Sequence, residues 1–221
     1  LIMSVSLQAQ EHFAERYNVS YITMDDGLPH NFIDDIYKDT YGFLWISTAG
    51  GGLSRYDGYE FIHFNPNTPH CKLKSNFIHN VYEDRFHRLW IVSEGGTDII
   101  DLSTLQSVAP NDPKGLLPRF INQPTYIVIL DSQGCIWLQC DNALHRISFN
   151  TEGDIDTLST LDLPEQDEPD LILKDIDEDG KIWTGINGTI YKITPTPQGQ
   201  LEKSTISEQL TFWPGIYFKD M

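Results

Sequence analysis

Tryptophans stand at positions 45, 90, 137 and 183, at intervals of 45, 47 and 46 residues. Six residues before each is an aspartate: Asp39, Asp84, Asp131 and Asp177. Three residues before them stand Gly42, His87, Gly134 and Gly180, and directly before them Leu44, Leu89, Ile136 and Ile182. Such a period, with several positions in step, identifies an array of like units. One unit cannot bury both its faces alone, so the units stack.

Every unit reads as β-structure. In the first, Phe32–Tyr37 and the tryptophan run precede a turn at Gly50-Gly51-Gly52, the run Leu53–Tyr56 and the run Tyr59–Phe64. The second offers Phe77–Tyr82, Thr97–Leu102 and Leu105–Val108 around Trp90. The third offers Thr125–Leu130, Ala143–Ile147 and a weak Ile155–Leu158. The fourth offers Leu171–Ile176, Thr189–Ile193 and Leu201–Ile206. Four short strands per unit are the pattern of a propeller blade. The expected fold is therefore all-β: four-stranded antiparallel blades, four of them plus the first strand of a fifth at Ile216–Asp220. That count implies a piece of a larger ring, of about seven blades.

Within a blade, the tryptophan is expected to fill the wedge against the next blade, burying on the order of 200 Å². The Asp-x-x-Gly turn joins the first strand to the second. Its aspartate can accept from amides two residues on, and its glycine can take positive φ. His87 replaces that glycine in the second unit, and histidine tolerates left-handed backbone better than most residues.

The expected divisions are a signal-peptide remnant at 1–9, a linker and closing outer strand at 10–24, and a partial propeller at 25–221. The repeats run 25–69, 70–118, 119–164 and 165–210, and the next begins at 211. The apolar start, ending in Gln8-Ala9-Gln10, has the form of the back half of a secretory signal. Tyr17–Thr23 alternates in β-formers and reads as the outermost strand of a blade beyond the last residue. Long connections fall at Asn65–Ser75, Ala109–Pro124, Asn150–Pro169 and Ser207–Pro214. Their length and their Pro, Asn and Asp content mark surface loops, where binding groups tend to lie.

The formal net charge is −17. A field of that sign argues against nucleic acid and against an anionic membrane surface. Cys135 and Cys140 lie in one predicted strand, roughly 16 Å apart and on opposite faces, and cannot bridge each other there. A remote pair with Cys71 stays open, and the three read best as buried small hydrophobes.

The spacing Gly27-Leu28-Pro29-x-Asn31, then Ile36-x-x-Asp39-x-x-Gly42-Phe43-Leu44-Trp45-Ile46-x-Thr48, then Gly52-Leu53-x-Arg55-Tyr56-Asp57-Gly58-x-x-Phe61 resembles the two-component regulator propeller repeat. The resemblance continues through Ser75-Asn76-Phe77-Ile78 and Leu89-Trp90-Ile91, and thins in the third and fourth units. Departures are the Gly50-Gly51-Gly52 turn, one residue longer than usual, His87, and Thr184 after Trp183. The resemblance implies the N-terminal sensor region of a hybrid two-component regulator. In that family extracytoplasmic propellers precede a β-sandwich, a membrane helix, a histidine kinase and response-regulator parts. The sensor recognises glycans or their breakdown products and switches on polysaccharide-utilisation genes. The implied location is periplasmic, with membrane contact only through regions downstream.

The chemistry expected of this segment is recognition, with no catalytic residue, cofactor or metal. Asp175-x-Asp177-x-Asp179-Gly180 resembles half a calcium loop, but Ile186 stands where an EF-hand requires glutamate. It reads as an acidic turn. No histidine pairs with another histidine or cysteine at zinc spacing, and no Gly-x-Ser-x-Gly elbow occurs. The inner runs offer Asp34, Asp35, His79 and Asn80 without a repeated ligand set.

Candidate ligand contacts on the loops between blades are His30, Asn31, Asn76, Arg119, Asn122 and Trp213. Asn31 and Asn76 share one repeat position, which points to turn capping; Arg119 and Trp213 lie outside the pattern. The expected partner is an oligosaccharide, with a homodimer over open blade edges a further option. The competing readings are a lyase- or lactonase-type propeller enzyme and a protein-binding scaffold.

Overall fold

The computed structural model describes residues 20–117, 121–140, 143–162, 176–177, 180–186, 189–196 and 200–205. They form consecutive antiparallel sheets with simple up-and-down order. The first blade is β1 (Ile33–Lys38), β2 (Leu44–Thr48), β3 (Gly52–Tyr56) and β4 (Phe61–Phe64). The second is β5 (Ile78–Glu83), β6 (Arg88–Ser93), β7 (Gly96–Asp101) and β8 (Gln106–Ser107). The third is β9 (Thr125–Leu130), β10 (Ile136–Cys140), β11 (Ala143–Phe149) and β12 (Ile155–Asp162). In the fourth, β13 (Ile182–Ile186), β14 (Thr189–Pro195) and β15 (Leu201–Thr205) are paired, and a bridge joins Ile176 to Ile182. Most of its expected first strand, Leu171–Ile176, lies outside the described residues. So do the stretches 1–19 and 206–221, which include the signal-like start and the next-blade strand.

The blades stack through apolar faces. Trp45, Leu53 and Phe64 of the first blade pack with Ile78, Val81, Leu89 and Ile91 of the second. Trp90, Val92 and Ile99 of the second pack with Val128, Ile136 and Leu138 of the third. Trp137 and Leu144 meet Ile182 and Ile193 of the fourth. A sheet covered on both faces reads as a continuous apolar run rather than an alternating one, and all six residues of β6 are buried. Trp45, Trp90 and Trp137 are fully buried. Trp183 departs from the wedge expectation, at 43% exposed. It lies on the last described blade, where no later described sheet covers it.

Residues 20–23, the described part of the expected strand Tyr17–Thr23, pair in no described sheet, and the blade that strand was expected to complete is not among the described residues. Thr23 caps a short 3-10 turn, Met24–Asp26, through a reciprocal box. Its hydroxyl oxygen accepts from the Asp25 amide, and the Asp26 carboxylate accepts from the Thr23 amide. One further expectation needs correction: Asn150–Pro169, expected as a long connection around a weak strand at Ile155–Leu158, is less of a loop. Eight of its residues form β12, the longest strand described. An outermost strand needs few apolar residues, which is why its acids and threonines read as weak.

Cys71, Cys135 and Cys140 are free and buried. Burial, reinforced by the neighbouring Asp131 carboxylate, pushes the Cys135 thiol up to about 11. His87 takes φ 57, the left-handed backbone its turn position requires.

Candidate functional site

At one end of the blades lie the Asp-x-x-Gly turns, which act as scaffold. In all four, one oxygen of the aspartate accepts turn amides and the other accepts the indole N–H of the tryptophan six residues on. The Nε1–Oδ2 distances are 2.8 Å for Trp45–Asp39, 2.8 Å for Trp90–Asp84, 2.9 Å for Trp137–Asp131 and 2.9 Å for Trp183–Asp177. The amide partners are Phe43, Phe86 with Arg88, Gln133 with Cys135, and Lys181. The indole bond escapes sequence reasoning, because it depends on the hairpin's register and not on spacing alone. With its carboxylate spent on Lys181 and Trp183, Asp177 has a structural role in the half-calcium-loop motif; Asp175 and Asp179 lie outside the described residues. No cluster of metal-ligating side chains occurs among the described residues.

Polar bonds between blades tie this end together. The buried Glu83 carboxylate accepts from the amide and hydroxyl of Thr40 in the preceding blade's turn, and lies 2.8 Å from His87 Nδ1. Arg88 pairs with Asp84 at 2.7 Å, donates to the Gly153 carbonyl of the next blade, and lies over both the Phe86 and Phe149 rings.

The opposite end carries the entries of the inner strands, and here the three described inner strands share one irregularity. In β1 the pairing with β2 steps from Ile33 to Asp35 and skips Asp34. In β5 it skips His79, and in β9 it skips Tyr126. All three stand eleven residues before their tryptophan. A skipped residue is a β-bulge, which bends the strand and re-aims its side chain. Because β5 packs against both β1 and β9, the bulges form a row at one height on adjacent blades.

The residue after each bulge explains part of this arrangement. Asp35 Oδ2 accepts from Asn80 Nδ2 at 2.9 Å and from the Val81 amide. Asn80 Oδ1 in turn accepts from the Val128 amide at 3.0 Å. This chain of bonds links three blades, and stops at Ile127, which has no polar group to continue it. Burial pushes the Asp35 carboxyl up; the Val81, Ile36 and Asn80 hydrogen bonds oppose it, and the Asp34 charge adds to it. Asp34 and His79 make none of these bonds. Asp34 is exposed. His79 packs its ring against Tyr126, 5.6 Å between centroids, and its Nε2 is buried with no hydrogen-bond partner. Beside the row, Phe32 and Phe77 are 62% and 48% exposed.

The described loop candidates, His30, Asn31, Asn76 and Asn122, fall around this mouth with differing roles. His30 accepts from the Phe32 amide through Nδ1, as Ser75 Oγ does for Phe77. Asn31 Oδ1 accepts from the Met24 amide. These bonds are local caps. Asn76 offers its carbonyl to the Gly52 amide, while its Oδ1 is buried and unpartnered. Asn122 is exposed beside Gly96. At Gly96 the backbone has φ 119 and a Cβ would lie 2.4 Å from the Ile121 carbonyl oxygen, so only glycine lets the loop pass. Arg119 and Trp213 lie outside the described residues.

Residues 27–50 and 72–95 match the model of the two-component regulator propeller. Comparison with curated proteins finds no match. Among solved structures the chain is similar to the extracellular domain of BT4673 from B. thetaiotaomicron, titled a one-component system in one structure and a hybrid two-component system in another. Identity is 24%, TM-score 0.57, and the match covers 86% of this chain and 27% of that one. The extracellular domain of the hybrid two-component system BT3049, also from B. thetaiotaomicron, matches at 18% identity and TM-score 0.53, covering 84% of this chain and 32% of that one. Virginiamycin B lyase from Staphylococcus aureus matches at 17% identity and TM-score 0.51, covering 78% and 55%. These likenesses establish the propeller fold. The chain spans about a quarter to a third of the length of the two extracellular domains.

Proposed function

We propose, from the premise that its first two blades are two-component regulator propeller repeats, that this chain is an extracytoplasmic sensor segment which recognises a glycan without transforming it. Occupancy would be passed to a histidine kinase elsewhere in the same protein, controlling polysaccharide use. The repeat match carries this reading. The solved relatives BT4673 and BT3049, both extracellular domains, support the location. No helix among the described residues is long and apolar enough to cross a membrane.

The geometry is consistent with recognition. Aspartates of the repeat are consumed by turn amides and indoles, which leaves them no acid–base task. Polar and aromatic groups without a scaffold role gather instead at the entry end. A glycan site needs aromatic faces for sugar C–H groups and a few fixed polar atoms for hydroxyls. Ligand could signal by shifting the packing of blades already joined by single polar latches.

Titration calorimetry against a panel of oligosaccharides, with chromatography of each mixture, tests the proposal. Binding heat with every panel member recovered intact is the expected result. Conversion of any member to product would overturn it.

A further inference from the structure

We infer that the row of bulge residues Asp34, His79 and Tyr126, flanked by the rings of Phe32 and Phe77, is the contact surface for a neutral oligosaccharide. The inference rests on the glycan-sensor reading above and goes further, since it names the residues and the charge class of ligand.

Positions that hold the scaffold keep their residue type from blade to blade: Asp39, Asp84 and Asp131, or Trp45, Trp90 and Trp137. The bulge keeps its backbone form in three blades, yet its residue changes from aspartate to histidine to tyrosine. The scaffold therefore requires the bulge and leaves its side chain unspecified. Two positions further along each strand the residues are Ile36, Val81 and Val128, all aliphatic, while Asp35, Asn80 and Ile127 in between vary with the latch.

Asp35 and Asn80, the neighbours of the bulge, spend their polar atoms on the inter-blade latch. His79 Nε2 is buried and has no partner. Buried polar atoms are nearly always bonded, so this unpaired imidazole nitrogen, at the same repeat position as the exposed Asp34, would gain a partner from a hydroxyl admitted by a turn of the His79 ring. A sugar hydroxyl suits both groups, because it can donate to Asp34 and either donate to or accept from His79.

Phe32 and Phe77 occupy one repeat position, thirteen before the tryptophan, and stay exposed in both blades. The amides of both are pinned by a side chain two residues back, which holds each ring's base in place. Exposed rings fixed at a mouth give apolar faces for sugar C–H groups at small entropic cost.

Charge selects among glycans. The chain carries a formal net charge of −17, and Asp34 places a carboxylate in the row itself. Sulfate or uronate groups would meet repulsion there without a facing cation in the row.

The test uses the whole chain and paired panels of neutral, sulfated and uronate oligosaccharides, with affinity read by titration calorimetry. Asp34→Ala and His79→Gln are the probes, and Tyr59→Ala, at an exposed ring on the opposite end, is the control. Unfolding midpoints of all variants are measured in parallel, and Asp34, being exposed, keeps the test open if His79→Gln fails to fold. Each probe is expected to weaken neutral-glycan binding by roughly tenfold or more, equivalent to about 1.4 kcal/mol, with the control unchanged. Unchanged affinity in a folded probe variant overturns the inference while the sensor reading stands. Tighter binding of sulfated or uronate members overturns the ligand class. A wild-type chain that binds nothing in the panel overturns both readings.

Discussion

Replacing Asp84 with alanine should cost far more than its size suggests. The carboxylate is buried and takes four bonds. Oδ1 accepts from the Phe86 and Arg88 amides at 2.9 and 3.1 Å, and Oδ2 from Trp90 Nε1 at 2.8 Å and Arg88 Nε at 2.7 Å. Alanine leaves the indole N–H of a fully buried tryptophan unpaired, at about 1–3 kcal/mol. It also strands a guanidinium whose side chain is only 10% exposed; breaking such a pair costs about 3–5 kcal/mol. The two losses share one site and do not add, so the expected destabilisation is about 4 kcal/mol. Asp39 provides the internal comparison, since it holds an indole and an amide and pairs with no cation among the described residues. Asp39→Ala should cost about 2 kcal/mol, within the range for an orphaned buried donor. Urea unfolding followed by tryptophan fluorescence measures both. In the double variant Asp84→Ala with Arg88→Met, part of the loss should return, because the stranded charge is gone. A cost below about 1 kcal/mol for Asp84→Ala, or Asp39→Ala costing as much as Asp84→Ala, would refute the reasoning.

Tryptophan truncation should separate a covered wedge from an open one: Trp90→Ala is expected to lose about 3–5 kcal/mol. Trp183→Ala, at a half-exposed site, should lose less than half as much in the same assay. Cys135 should resist thiol reagents, because burial holds its pKa at about 11 against an ordinary 9.0. Labelling of the native chain at pH 8 should run at least roughly a hundredfold slower than in denaturant, and should quicken as pH rises toward 11 and more thiolate forms. Native labelling at the denatured rate would show that Cys135 is accessible.

The repeat was legible because each of its positions has a separate physical job. A turn needs an acid and a left-handed residue, and a wedge needs a large ring. Even the exception kept the rule, since His87 takes the left-handed backbone of the glycine it replaces. The Thr23–Asp26 capping box has a local signature, a threonine with an acid three residues on. Contacts such as Arg88 to Gly153 span 65 residues and leave no local signal. The bulge row is an intermediate case. Adjacent acids at Asp34 and Asp35 break the alternation of Ile33 and Ile36. That break was the available trace of a skipped residue, but the same two acids equally fit an ordinary exposed strand edge. Of the loop candidates, His30 and Asn31 cap local backbone, while the less conspicuous His79 keeps a buried nitrogen unpaired.

A crystal structure of the chain with a neutral oligosaccharide from the binding panel tests the account most directly. The account predicts an intact saccharide seated on the inner-strand row, with hydroxyls within hydrogen-bond distance of Asp34 and His79 Nε2 and a ring face against Phe32 or Phe77. A cleaved saccharide, or an intact one held elsewhere with the row untouched, would contradict it.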